Sequence, residues 1–371
     1  MISGTHQYET LSWPSLTASD RAAWEGFRRT RPSLASPYFT LDWCDAVHAA
    51  RGDLKVARLS HGGELQALLP FHEGRFGHLR PAGGPLSDAH GFVCGPNARV
   101  DPDGLVDAVG ARMFHFSGAP TDDPGLAFAS APTNGFSLDL SQGYDAYVAR
   151  QSAAEPKAFR NLRSRQRRLE GQTVEFNADD RDPAALANLL ELKRAQYRRT
   201  RQIDVFAADW TRRLVADLFD RNARAGLRGR LSTLRIGGCV AASHFGLQAG
   251  GVMHYWFTGF DPQFSDVSPG IILLQSIAET VAREGVTRID LGGGVYRFKQ
   301  EFADLRTPLG SGVIWGRSLL AGAARGAGLL TRGFETLPMG RLATAPRRAI
   351  SRLDRLMAFH EAPRNPPGHS A

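Results

Sequence analysis

The stretch Val286-Thr-Arg-Ile-Asp290-Leu-Gly-Gly-Gly294-Val-Tyr296-Arg-Phe-Lys299-Gln-Glu-Phe302 changes character every few residues. Val286, Ile289 and Leu291 suit a buried strand. Gly292, Gly293 and Gly294 let the backbone turn sharply and approach a ligand with no Cβ in the way. Tyr296, Phe298, Lys299 and Phe302 then set a phenol, an ammonium and two apolar anchors on the next helical turn. Spacing alone leaves two readings open. One is a strand delivering the chain into a site; the other is an ordinary strand-turn-helix joint with packed glycines, a solvated lysine and a core tyrosine.

The segment before it favours a site. Ser268-Pro269-Gly270 opens an apolar helix predicted over Ile271 to Glu284, with Ser as N-cap and Pro at the first helical position. The free amides and positive dipole end of such a helix suit a phosphate or pyrophosphate. Ser268, Gly270, Gly292, Gly293 and Lys299 are therefore the candidate residues for an anionic cofactor.

Further back, strands are predicted at Arg228 to Ile236, Cys239 to Gln248 and Val252 to Phe260. The turns Gly237-Gly238 and Ala249-Gly250-Gly251 between them are too short for anything but an antiparallel meander. A strand at Thr173 to Asn177 and helices at Pro183 to Arg199 and after Asp209, its expected cap, precede them. A last strand lies near Gly312 to Trp315. The second half thus reads βααβββαβαβ.

The first half is less legible. Two helical patches, around Trp24 and Phe27 and over Tyr38 to Val47, precede a hairpin of Leu54 to Leu59 and Glu64 to Phe71 across His61-Gly62-Gly63. A third strand is read at Arg75 to Arg80, a helix near Gly104 to Phe114, and short strands near Leu126 to Phe128 and Phe136 to Leu140. Tyr144 to Arg150 begins the second half. In the helix predicted over Lys157 to Glu170, Phe159, Leu162 and Leu169 share one side; Lys157, Arg160, Arg163, Arg165, Arg167 and Arg168 cover much of the rest. That charge is either a solvated face or an electropositive lip for a phosphate-bearing ligand.

At 371 residues the length suggests two domains or a duplicated one, and 42% hydrophobic with 22% charged residues excludes a disordered chain. Cys44, Cys94 and Cys239 are far apart and read as reduced, buried thiols of a cytoplasmic protein. Met1 to Leu11 lacks an apolar leader core and no stretch is long enough to span a bilayer. The net charge is +8, but residues 317 to 371 hold nine Arg against three acids, so the basic character belongs mostly to the tail. No His, Cys, Asp and Glu cluster has metal spacing, so no metal is expected.

The order of three antiparallel strands after two helices, then a strand-helix-strand crossover, resembles the GNAT N-acyltransferase superfamily. Phe298-Lys-Gln-Glu-Phe302, the Arg-rich helix, Asp261-Pro262 and Ser268-Pro269-Gly270 are similar to the FemAB type. The CelD/BcsL group of bacterial cellulose and exopolysaccharide biosynthesis is the nearest in look, and Ser36-Pro37-Tyr-Phe-Thr-Leu-Asp-Trp43 with Leu69-Pro70 extends the likeness into the first half. The resemblance implies an α+β fold with a mixed sheet. It consists of two tandem GNAT-like lobes: 1–145 degenerate, 146–316 the acyltransferase lobe, and 317–371 a basic helical appendage with a disordered tail. It implies acyl-CoA, acetyl-CoA foremost, as donor and a small amine or amino sugar as acceptor. The glycine-rich pyrophosphate loop of ordinary GNAT enzymes is missing, and FemAB enzymes themselves use aminoacyl-tRNA, so that donor stays open.

Acyl transfer to an amine needs a proton acceptor for the ammonium and a proton for the leaving group. No Ser or Cys sits in a nucleophile elbow, which favours direct transfer. If Gln248 pairs with Val252, His244 and His254 lie diagonally on one face of the hairpin; both are base candidates, as is Asp290. The plain alternatives are histidines satisfied within the sheet and a capping carboxylate. The resemblance implies Tyr296 as general acid and Lys299 near phosphate, while Arg163, Arg167 and Trp256 are candidates for binding substrate. The tail admits contact with the inner membrane or a polysaccharide-synthesis assembly. tRNA is the lesser partner and no DNA is expected. A non-catalytic GNAT-like binding module remains the alternative from another class.

Overall fold

The computed structural model describes residues 6–126, 131–221 and 226–317. Two units emerge: 6–133 with Ala208–Leu214 and 309–317, and 134–207 with 215–308. The appendage expected over 318–371 and the end of the strand expected at Leu126 to Phe128 lie outside the described residues.

The first unit runs β1 (His6–Ser12), α1 (Ala18–Thr30), α2 (Leu41–Arg51), β2 (Lys55–His61), β3 (Glu64–Glu73), β4 (His78–Pro81), β5 (Val93–Cys94), α3 (Pro102–Ala108) and β6 (Met113–Pro120). Thr17 and Asp20 close a capping box on α1, and Thr40 caps α2, which Gly52 ends at φ 78°. The hairpin of β2 and β3 turns on Gly62 and Gly63, both at positive φ, as expected. The helix expected to reach Phe114 stops at Ala108. Gly110 at φ 67° turns the chain, and Phe114 and Phe116 enter the core from a strand instead.

The second unit holds most of β7 (Ala131–Asp139), then α4 (Tyr144–Ala154), α5 (Pro156–Arg167), β8 (Val174–Asn177) and α6 (Pro183–Thr200). After α7 (Asp209–Asp220), whose first residues group with the first unit, come β9 (Leu227–Ile236), β10 (Cys239–Ala249) and β11 (Val252–Phe260). It ends with α8 (Pro269–Arg283), β12 (Arg288–Gly292), α9 (Arg297–Phe302) and the start of β13 (Leu305–Trp315). This is the order read from the sequence. Asp209 is the first helical residue of α7 rather than its cap.

With β4 and β5, which both pair with β3, counted as one strand, each unit contains the order β-α-α-β-β-β-α-β, and in each the fourth and fifth strands of that order are the parallel pair. In the first, β1-β2-β3-β4 are antiparallel and β4 runs parallel to β6. In the second, β8-β9-β10-β11 are antiparallel and β11 runs parallel to β12. The fold is mixed α/β, with antiparallel strands and one parallel pair in each unit. A parallel pair needs a crossover, and α3 and α8 supply it. The core of the second unit gathers Leu138, Met253, Tyr255, Leu273, Ile277, Ile289 and Phe302; that of the first gathers Leu69, Phe71, Phe92, Leu105, Phe114 and Phe116. No described helix is long and apolar enough to cross a membrane. Cys44 and Cys94 are buried thiols, but Cys239, at the start of β10 after a glycine turn, is exposed.

Two buried histidines of the first unit act as hydrogen-bond acceptors. His72 Nε2 takes the Gly83 N–H at 3.2 Å while its Nδ1 lies 2.9 Å from Asp53, and His90 Nδ1 takes the Ser117 N–H at 3.0 Å. Burial pushes both imidazoles down to about 4. A base with a depressed folded pKa loses stability as pH falls from its ordinary 6.5 toward 4, on the order of 3 kcal/mol each. Burial raises Asp123 to about 6, which acts oppositely: its contribution is lost as pH rises through that value. Denaturant unfolding between pH 7 and 4.5 is expected to show falling stability, with a shallower slope in His90→Asn.

Candidate functional site

The site forms where β11 and β12 stop pairing. Their ladder has three rungs, Val252 with Arg288, Met253 with Ile289 and His254 with Asp290. β11 continues to Phe260 and β12 to Gly292, so the strands part beyond His254 and Asp290. Irregularities flank the fork on both sides. Phe245 pairs with Phe257 but Leu247 with His254, so β11 carries an extra residue, and the pairing of β12 with β7 shifts between Asp290 and Gly292.

The hairpin register differs from the one expected. Ala249, not Gln248, pairs with Val252 across a two-residue Gly250-Gly251 turn, and the extra residue in β11 shifts the pairing again. His244 and His254 therefore do not share a face. Met253 and Tyr255 enter the core with α8, so alternation sends His254 between them to the other side. His244 stacks on Tyr255 at 3.8 Å and is fully enclosed, with neither ring nitrogen hydrogen-bonded among the described residues. Burial first, then His254 and Arg230, holds its pKa well below the ordinary value. It is packed as a neutral aromatic ring.

Asp290 stands opposite buried His254 on the last rung, and Ser137 donates to its Oδ1 at 2.7 Å. The sequence did not single out Ser137; only the pairing of β7 with β12 brings it there. Tyr255, also missed, is the first residue beyond the rung. Trp256 is half-buried and stacks on Phe257 at 4.2 Å.

Ser268 opens α8, but in a left-handed conformation (φ 49°, ψ 61°) and without a side-chain cap bond. The 3-10 turn Pro262–Val267 delivers the chain so that its carbonyl, not its hydroxyl, receives the Ile271 N–H. A Cβ added at Gly270 would meet nothing within 4 Å, so this helix start is open. Arg168 reaches the Asp266 carbonyl from the end of α5, while Arg163 and Arg167 are exposed.

Lys299 is 6% exposed, which rules out the solvated-lysine reading. Its Nζ donates to the carbonyls of Gly292 at 3.2 Å and Gly293 at 2.5 Å and lies 5.3 Å from the Tyr296 ring centre. Gly292 and Gly294 adopt φ of 72° and 84°, and the lysine ties down the turn they make. Tyr296 precedes α9 and is 58% exposed. Tyr147 donates to the Phe302 carbonyl at 2.8 Å and Gln151 to that of Glu301 at 2.9 Å, which holds α9 to α4. Among the described residues no group of His, Cys, Asp and Glu could hold a metal.

Residues 156–300 match the acetyltransferase (GNAT) domain family. No match is found among curated proteins. Among solved structures, the chain is similar to the C-terminal domain of a putative lysylphosphatidylglycerol synthetase from Agrobacterium fabrum (14% identity, 84% of this chain and 97% of that one, TM-score 0.47). It is also similar to FemX (12%, 82% and 96%, TM-score 0.49) and to a tandem GNAT protein from the clavulanic acid biosynthesis pathway (12%, 84% and 98%, TM-score 0.47).

Replacing the lysine tests its hold on the loop. Lys299→Met leaves buried carbonyls without their donor, a loss of about 1–3 kcal/mol. Faster amide exchange over 292–296 in the ligand-free protein is expected; unchanged exchange and stability would mean that the ammonium does not order the turn.

Proposed function

We propose that the chain is an N-acyltransferase that moves an acyl group, acetyl foremost, directly from acyl-CoA to the amine of a small molecule or amino sugar. The observation that carries this reading is the fork beyond His254 and Asp290, with the open start of α8 and the glycine turn in the same unit. The residues fit such a donor: a helix start with no side chain at Gly270 suits a pyrophosphate, and a parted strand pair suits a thin chain.

The donor supplies a thioester carbonyl. Ser268 and Gly270 at the helix start, with Gly292 and Gly293 in the turn, hold the carrier, and Lys299 fixes the turn. Arg163 and Arg167 meet its outer phosphates. Asp290, oriented by Ser137, takes the ammonium proton, directly or with His254. The amine nitrogen then bonds to the acyl carbon as the carbon–sulfur bond breaks; exposed Tyr296 gives its proton to the leaving sulfur and is reprotonated through solvent by the proton the new amide nitrogen sheds. Trp256 lines the acceptor side. The CelD/BcsL likeness makes exopolysaccharide or cellulose biosynthesis the proposed setting, in the cytoplasm or at the inner membrane surface.

One observation favours a second donor, aminoacyl-tRNA. Lys157, Arg160, Arg163 and Arg167 are exposed along α5 and make no ion pair among the described residues. Such a face attracts a polyanion.

Purified protein given acyl-CoA of several lengths and a panel of amines should release free thiol. Asp290→Asn is expected to lower kcat by about 10²–10⁴ with the donor still bound. Gly270→Leu should raise KM for the donor without unfolding the chain. Absence of CoA binding, together with salt-sensitive tRNA binding lost in Arg163→Ala/Arg167→Ala, would replace the donor. Neither binding would leave a non-catalytic module.

A further inference from the structure

In the first unit, β4 and β5 pair with the same strand, β3, in one continuous direction: Phe71 with Pro81, then Leu68 with Val93. They are one strand of the sheet, interrupted by residues 82–92, which leave the ladder and return. That broken strand is the counterpart of β11. Its parallel partner β6 pairs with it only at His78 with Met113 and Leu79 with Phe114, and then runs on to Pro120.

The excursion occupies the edge this leaves. The Ser117 N–H donates to His90 Nδ1 at 3.0 Å. The Asp88 carbonyl oxygen lies where a side chain on Gly118 would begin, 2.0 Å from an added Cβ, and Gly118 has φ +66°. Both ends are pinned, the Gly83 N–H to His72 Nε2 at 3.2 Å and the Phe92 N–H to Asp123 Oδ2 at 2.7 Å. Asp123 also receives the Gly125 and Leu126 N–H groups, and Asp53, clamped by Arg51, backs His72. Such anchoring describes a fixed strap rather than a loose loop.

We infer that residues 82–92 are a built-in occupant of the first unit's strand fork, a strap that seals the position equivalent to the open fork of the second unit. One chain therefore takes one carrier. The word carrier rests on the acyltransferase reading; the sealing does not.

Amide exchange with and without acetyl-CoA separates the two. In the free protein the Ser117 amide should exchange slowly, about tenfold to a hundredfold faster in His90→Ala, and slowly again in His90→Asn, whose Oδ1 can replace Nδ1 as acceptor. Acetyl-CoA should slow 253–260 and 288–294, leave 113–120 unchanged, and titrate at one per chain. Fast Ser117 exchange in the wild type, protection of 113–120 by acetyl-CoA, or two bound per chain would overturn the strap. If acetyl-CoA protects neither fork while Ser117 stays slow, the strap stands and the donor reading falls.

Discussion

Everything at the site depends on where two parallel strands stop sharing hydrogen bonds. A parallel rung within an otherwise antiparallel set obliges the chain to cross over, and the helix that makes the crossing starts near the strand it has just left. The end of the ladder at His254 and Asp290 and the start of α8 are thus consequences of one topological choice. The extra residue in β11 and the shifted pairing of β12 with β7 turn a continuous sheet into a fork, since each changes strand direction locally.

A fork is useful only if its rim keeps its shape. The three glycines after Leu291 would leave the rim loose, because glycine has the most conformational freedom to lose. The buried ammonium of Lys299 compensates by holding two successive carbonyls, and α9 is itself held through the backbone bonds of Phe302 and Glu301 to Tyr147 and Gln151. Phe302 packs on Phe159 of α5 at 5.5 Å, so the apolar side of the arginine-rich helix supports the rim while its charged side faces out.

The second half of the chain was legible because its elements are long and its turns are glycine pairs, so period and punctuation agree. The glycine-tyrosine-lysine stretch was legible as a strand, a glycine turn and a short helix for the same reason. Side-chain placement was not legible. Register depends on whether a turn takes two residues or three, and an extra residue in a strand leaves no signature; one unseen residue was enough to separate His244 from His254. Lys299 looked like a phosphate ligand because its distance to the Gly292 and Gly293 carbonyls exists only once the turn has formed. In the first half, β6 hid behind a helical pattern that Gly110 interrupts, and residues 82–92 obscured the strand they divide.

The two units make the same fold pose the same problem twice. Parting a parallel pair exposes backbone groups that a sheet would otherwise satisfy, and such groups seek partners. In the first unit the chain supplies them from its own residues, with an imidazole kept neutral by burial so that it can accept Ser117's N–H. In the second, β11 passes the fork as one unbroken strand, Val252–Phe260. The same parting of a parallel pair is thus accompanied by an inserted segment of the chain in one unit and by an unbroken strand in the other.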